Sequence, residues 1–464
     1  MNYGHGKQVA IVGLGRSGVG AAKLLSTHGA QILVVDDKFE NQLEKSLNQI
    51  RQLNQVEVEL GGITASALIN ADFIVISPGI SLKHPALVQA INRGISVISE
   101  VELAYGYCPS KIAAITGTNG KTTTTTLLTQ MFLNAGKKAI ACGNIGKAFS
   151  EVVFELSRDD WAVLEVSSFQ LETIREFRSD IAVLLNITPD HLDRHGGMQA
   201  YVEAKARLFE NQTKQDFSIL NVSDKYTPIL SSLVRAKLGW FGFPKESKKL
   251  DDLGCYVIDD YLELMGSKLI STAEIKLFGS HNLENACAAT LSAALAGISR
   301  EVIAHTLSEF KAVEHRLEDC GEINGVRFIN DSKGTNINSV QKAIQSFSQP
   351  IVLILGGKDK GGDFRDLIPW FQQKVKRVIA FGEAKNKIVR ELSEVITVVE
   401  AETLEEVVRG AYASCESPGV VLFSPGCASF DMFENYEDRG RRFKNIVQQL
   451  VQFQKKQSIQ ISTS

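Results

Sequence analysis

A multidomain α/β protein is what this sequence predicts. Buried-strand patterns alternate with amphipathic segments along nearly the whole chain, and that pattern restarts twice. The length of 464 residues suits about three domains at roughly 150 residues each. Hydrophobic residues make up 44% and charged residues 22%, a mixture able to bury substantial cores.

Residues 1–99 are expected to form the first unit. Its candidate strands are QVAIVG, AQILVVDD, VEVEL, ADFIVIS and ISVIS. Continuous apolar strands at regular spacing, with amphipathic segments between them, indicate a parallel sheet covered by helices. The pattern restarts near Cys108-Pro109-Ser110, opening a second unit over residues 100–312. There KIAAIT runs into a glycine loop and a Thr-rich helix, and WAVLEVSS and DIAVLLNIT follow as buried strands. Residues 214–278 break into short alternating stretches, which predicts a small added β region. After the helical ENACAATLSAALAG a third unit, residues 313–464, carries VRFIND, PIVLILGG, RVIAFG, ITVVEA and VVLFSPG. The polar tail QKKQSIQISTS is expected to fray.

Charge and composition exclude several classes. Lys plus Arg minus Asp plus Glu is 50 − 53 = −3, which argues against nucleic acid or an acidic membrane surface as the partner. No apolar run approaches the ~18 residues needed to span a bilayer. Met1 to Lys7 leads straight into a strand and glycines, so no signal peptide is expected. The seven cysteines, from Cys108 to Cys427, form no CxxC pair. They fit reduced thiols in a cytoplasm better than a disulfide frame or a zinc site.

Two glycine loops carry the chemistry. Gly13-Leu14-Gly15-Arg16-Ser17-Gly18 follows a strand and precedes a helix, and Asp36 ends the next strand. This matches a dinucleotide fingerprint, in which glycines admit a diphosphate to the backbone and the helix N-terminus supplies amides. Taken alone it suits NAD or FAD, a nucleotide-sugar, or a tight turn with no ligand. The motif specifies a diphosphate, not nicotinamide.

The second loop, Thr116-Gly117-Thr118-Asn119-Gly120-Lys121-Thr122-Thr123, is a shortened phosphate loop, because Ile115 stands where a standard Walker A sequence has glycine. Backbone amides would wrap phosphate oxygens, Lys121 would neutralise the β/γ phosphates and Thr122 would ligate Mg²⁺. ATP is the expected ligand. Glu165 ends a strand where a metal-associated carboxylate sits in such folds, with His191 and Asp193 after the next strand. A cap or surface role competes for each, and spacing alone leaves Lys205 an ordinary helix lysine.

Together GTNGKTT, EVSSFQL, NITPDHLDRHG, GSHNLENACAA, EHRLE, NDSKGTN and SPGCASFDMFENYEDRG, in that order, resemble the Mur ligase family over essentially the whole chain. Within it, GLGRSG, SPGI, GGKDKGGDF and SPGCASFDMF are most similar to members that add D-glutamate to UDP-N-acetylmuramoyl-L-alanine. The resemblance implies an N-terminal Rossmann-like uridine-nucleotide domain, a central P-loop ATPase-like domain and a C-terminal Rossmann-like domain for the amino acid. It implies ATP-driven amide formation through an acyl phosphate, in peptidoglycan precursor synthesis. By the same resemblance Gly15, Arg16, Ser17, Asp36, Ser77, Pro78 and Gly79 would hold the UDP-sugar. Lys121 would touch the β/γ phosphates, and Glu165 and His191 the metal. Lys205 would be carbamylated, helping to bind a second Mg²⁺. Asn144 would lie near the γ-phosphate and substrate, while Asn282, Arg316 and Asp331 would serve ATP. Lys333, Thr335, Lys360, Ser429 and Phe430 resemble the D-glutamate pocket. The chain is expected to act as a monomer.

Competing readings are an NAD-dependent oxidoreductase built on the first loop, a non-catalytic nucleotide-sugar binder or ATPase-driven regulatory module, another amino-acid-adding member, and a folylpolyglutamate synthase. An oxidoreductase has no need of the second loop. A binder has no use for Lys121, Glu165, His191 and Lys205 together, and the synthase needs no UDP-type domain.

Overall fold

The computed structural model describes residues 3–244, 253–311 and 313–462. They divide into two compact units, one of residues 1–275 and 284–308, the other of residues 276–283 and 309–464.

The first unit opens with a five-stranded parallel sheet of β1 (Gln8–Val12), β2 (Gln31–Asp36), β3 (Val56–Leu60), β4 (Phe73–Ile76) and β5 (Ser96–Ser99). Its order is β3-β2-β1-β4-β5, so the strand order reverses between β1 and β4. A crevice opens at the carboxyl ends of strands flanking such a reversal. The loop Gly13–Gly18 follows β1, and Ser77-Pro78-Gly79 follows β4.

The same unit continues into β6 (Lys111–Thr116), β7 (Ala139–Gly143), β8 (Trp161–Glu165), β9 (Ile181–Leu184), β10 (Phe217–Asn221), β11 (Lys237–Gly242), β12 (Gly254–Ile258), β13 (Tyr261–Leu264) and β14 (Ser267–Ser271). These make one sheet in the order β14-β13-β12-β11-β10-β9-β6-β8-β7. The expected added β region is therefore part of the central sheet. β10, β11 and β12 extend its parallel ladder, and β13 runs back antiparallel between β12 and β14. Strand β7 was not anticipated, because its AIACG is too short and glycine-bounded to stand out.

The Thr-rich helix Lys121–Asn134 forms despite its β-branched run. Thr124 Oγ1 donates to the carbonyl of Gly120, and Thr129 Oγ1 to that of Thr125, so these two hydroxyls are satisfied within the helix, while the buried Thr125 hydroxyl has no partner among the described residues. Leu127, Leu128, Met131 and Phe132 anchor it, all fully buried.

The second unit has β15 (Glu318–Ile323), β16 (Val326–Asn330), β17 (Ile351–Gly356), β18 (Val375–Phe381), β19 (Val398–Glu400) and β20 (Gly419–Gly426). Their order is β15-β16-β20-β17-β18-β19, parallel except for the hairpin of β15 with β16. β15 was missed because EDCGEI is polar and half-exposed. One apolar cluster lies around Leu353, Leu355 and Leu422 and another around Ile354, Phe381 and Phe423, so both sheet faces are covered. The closing helix spans Tyr436–Ser462, which corrects the expectation that the tail frays from Gln454. Among the described residues no helix is long and apolar enough to cross a membrane. All seven cysteines are free thiols.

Candidate active site

The phosphate loop is held open from the neighbouring strand. Thr118 N donates to Asn186 O at 2.9 Å, Asn119 N to Asn186 Oδ1 at 2.9 Å, and Thr118 Oγ1 to Thr188 O at 3.1 Å. Gly120 has φ +88°, and a Cβ there would come within 2.1 Å of Asn285 Oδ1, so only glycine fits. Asn285, the second asparagine of HNLEN, escaped sequence reasoning; its repeat within that motif was the available signal. Lys121 folds over the loop, its Nζ 2.8 Å from Gly117 O and 2.9 Å from Thr118 O.

A hydrogen-bonded cluster lies beside it. Thr122 Oγ1 donates to Glu165 Oε2 at 2.7 Å, and Asn144 Nδ2 to Glu165 Oε1 at 2.9 Å. Glu165 and Thr122 are buried, as is Thr123. Lys205, 1% exposed, reaches Gly117 O at 2.9 Å from the helix Met198–Ala206. Burial, with the charge of Lys121 close by, holds its amine well below the usual lysine range, against the pull of Asp190 and Glu165. The phosphate loop, Thr122, Asn144, Glu165 and Lys205 thus come together. His191 caps the next short helix in the left-handed region, φ +53°, with Nε2 3.7 Å from Asp190 Oδ2.

At the first glycine loop, Leu14 N donates to Asp36 Oδ2 at 2.7 Å and Lys38 N to Oδ1 at 2.9 Å. The buried carboxylate thus braces the glycine loop with one oxygen and its own turn with the other. Ser77 Oγ donates to Gly13 O at 2.7 Å. Gly15 and Gly79 lie exposed, Ser17 and Pro78 half-buried. Arg16 is engaged across the unit, its guanidinium donating to Gly146 O at 2.6 Å.

In the second unit Asp331 follows β16. It accepts from Ser424 Oγ at 2.7 Å, and burial pushes its pKa up to about 7, against the nearby Arg316 and Arg439 charges. Asn282 Nδ2 donates to Phe278 O at 2.8 Å. Lys333 Nζ lies 5.0 Å from the centre of the Tyr436 ring. Lys360 Nζ is 3.5 Å from Thr335 Oγ1, and Lys358 and Ala428 exchange backbone bonds of 2.8 and 3.1 Å. That exchange brings the Lys360 loop beside buried Ser429; Phe430 is 69% exposed. Arg439, fully buried, binds Ser332 O at 2.7 Å and both Cys427 O and Ala428 O at 3.2 Å. It organises both loops and was missed, since a helix arginine carries no local signal.

Three family models match in succession: the Mur ligase MurD-like N-terminal domain over residues 7–99, the Mur ligase middle domain over 115–293, and the Mur ligase glutamate ligase domain over 315–427. A UDP-N-acetylmuramoylalanine--D-glutamate ligase of Thermoanaerobacter sp. (strain X514) is 44% identical over 96% of this chain and 99% of its own. The same-named protein of Koribacter versatilis is 43% identical over 97% of this chain and 99% of its own. Among solved structures, UDP-N-acetylmuramate-alanine ligase from Thermotoga maritima shares the fold at TM-score 0.61 and 17% identity, covering 96% of this chain and 99% of that one. A MurF ligase from Thermotoga maritima, in complex with ADP, gives 0.58 at 15% identity, over 90% and 95% of the two chains.

Proposed function

The chain belongs to the Mur ligase family, and on that premise we propose that it uses ATP to join D-glutamate to UDP-N-acetylmuramoyl-L-alanine, a step of peptidoglycan precursor synthesis. The single observation that carries the reading is likeness along nearly the whole chain to ligases of that name, 44% identical over 96% of its length. The interlocked phosphate loop supplies the chemistry such a ligase requires. Residues 1–99 take the nucleotide-sugar, 100–312 the ATP, and 313–464 the amino acid.

The terminal carboxylate of the alanyl substrate attacks the γ-phosphorus of ATP, and ADP leaves. The amino group of D-glutamate then attacks the acyl phosphate carbonyl. The tetrahedral centre collapses, the C–N bond stays, phosphate leaves and the amine gives up its proton. Lys121, already drawn onto the loop by two carbonyls, meets charge growing on the transferring phosphoryl oxygens. Asn144, fixed through Glu165, faces the same group.

Thr122 and Glu165 offer hard oxygen donors 2.7 Å apart, which suits Mg²⁺. Among the described residues no three His, Cys, Asp or Glu side chains form a metal cage; a Mg²⁺ ion bound with a nucleotide generally takes one or two protein ligands, with phosphates and waters completing its shell. The bound ion would neutralise phosphate charge, with His191 and a carbamylated Lys205 as further ligands. A lysine ammonium would repel a cation; the lowered basicity of Lys205 favours the free amine, the form that captures CO₂. Asp36 gives one carboxylate oxygen to Leu14 N of the first glycine loop and the other to Lys38 N of its own turn, so it shapes the loop that would receive the diphosphate.

The test is ATP-dependent phosphate release with UDP-N-acetylmuramoyl-L-alanine and a panel of amino acids. Release should require D-glutamate. Turnover with a different amino acid and none with D-glutamate would overturn the assignment.

A further inference from the structure

Two arginines cross-tie the loops of the first unit in opposite directions. Arg16, in the first glycine loop, donates to Gly146 O at 2.6 Å and to Asn144 O at 3.4 Å. Arg194, three residues after His191, donates to Ile80 O at 2.7 Å, directly beyond Ser77-Pro78-Gly79. Its guanidinium lies 3.7 Å from the centre of the Phe169 ring. The same ring meets His191 edge-on at 5.1 Å and stacks on His195 at 5.0 Å. His195 is gripped by both nitrogens, Nε2 3.0 Å from Ser168 Oγ and Nδ1 3.1 Å from Glu172 Oε1. The segment from His191 to His195 is therefore clamped on one side by the EVSSFQL turn and on the other by the loop after β4.

We propose that Arg194 is a positioning residue, which holds His191 in register with the nucleotide-sugar loop by anchoring its segment to Ile80. The inference rests on reading Ser77 to Gly79 as substrate contacts and His191 as a phosphate-side group. The guanidinium is half-buried between a carbonyl and an aromatic face, where a hydrogen bond from a charged donor is not replaced by water without loss. Loss of the tie leaves ATP its own loop, which Arg194 does not touch, but frees His191 relative to the reacting carboxylate. Turnover should fall while ATP binding stays.

Arg194→Met keeps side-chain length over Phe169 and removes the donors; Arg194→Lys restores one donor and the charge. The Met variant should lose about ten- to a hundredfold in kcat, the span expected of one charged hydrogen bond. Its KM for ATP should stay within about twofold of wild type, and the Lys variant should recover part of the loss. Amide hydrogen exchange without substrates should quicken in two places at once, residues 77–82 and 190–196. Wild-type kcat, or a loss accompanied by equal rises in every KM, would overturn the proposal. So would unchanged exchange over 77–82. Absence of turnover in the wild-type protein would count against the proposed function, while the exchange experiment would still decide the tie.

Discussion

The phosphate-loop region and the edge of the second unit proposed to take the acceptor are built on opposite principles. Around the phosphate loop every candidate group already binds another: Lys121 and Lys205 share the carbonyl of Gly117, and Glu165 joins Thr122 to Asn144. At the acceptor edge Lys360 reaches Thr335 only at 3.5 Å, and Phe430 stands 69% exposed. Phosphoryl transfer needs the same charge array whatever is being ligated, so organising it in advance serves every turnover. Amino-acid selection needs donors left available to the incoming carboxylates. Asp331 is the exception, a buried group of the second unit held as tightly as the loop.

That exception gives the largest expected effect. The folded protein keeps the Asp331 proton up to about pH 7, against an ordinary value of 3.8. Above pH 4 the unfolded chain releases a proton that the folded chain retains, so stability falls as pH rises through this window, by roughly 4 kcal/mol in all. Urea unfolding followed at pH 5 and pH 8 should show about two thirds of that decline, roughly 3 kcal/mol, and Asp331→Asn should remove it. Equal slopes in the two proteins would place the second unit wholly on the exposed side of the comparison.

Lys121→Ala comes next. Removing one preorganised cation from a developing phosphoryl charge costs about 10²- to 10³-fold in kcat, while the melting temperature should barely move, because Lys121 packs no core. Single-turnover acyl-phosphate formation measures the step directly. A folded variant with near wild-type turnover would break the claim that this region is organised for phosphoryl transfer.

The two regions also differ in how legible they were. GTNGKTT could be read because strand, loop, lysine and helix are contiguous, so local chemistry fixes geometry. The parallel sheets could be read for a similar reason: buried β-strands are unbroken apolar runs. Arg439 and Asn285 could not, since each acts on a loop distant in sequence. β15 escaped because a polar edge strand lacks the apolar pattern, and the tail because a helix end has none. Asp36 was legible as a residue but not as a brace, since one of its oxygens reaches back to Leu14 N in a loop 22 residues earlier.

At the acceptor edge a moderate effect is expected. Lys360→Met keeps much of the length and removes the charge. The KM for D-glutamate should rise roughly 10- to 100-fold, the span of a charge-assisted contact, with the KM for ATP little changed. Steady-state kinetics varying each substrate in turn would check this, and equal shifts for all three substrates would remove Lys360 from the pocket.

The smallest effect should come from Thr335→Val, which keeps shape and deletes the hydroxyl. The 3.5 Å separation from Lys360 Nζ marks a weak contact, so the KM for D-glutamate should rise only about two- to fivefold. What matters is how this combines with the lysine substitution. If Thr335 acts by steering the Lys360 ammonium, it has nothing left to steer once the charge is gone, and the double variant should match Lys360→Met alone. If Thr335 touches the acceptor itself, the two effects should multiply. The lone pairs of a hydroxyl can accept from an ammonium, whereas a carboxylate would need the hydroxyl as a donor. The hydroxyl can do both at once, donating its proton to a hydrogen bond with the substrate while accepting from Lys360. A multiplicative cycle would therefore make Thr335 part of the pocket wall, and a saturating one would confine it to aiming the lysine.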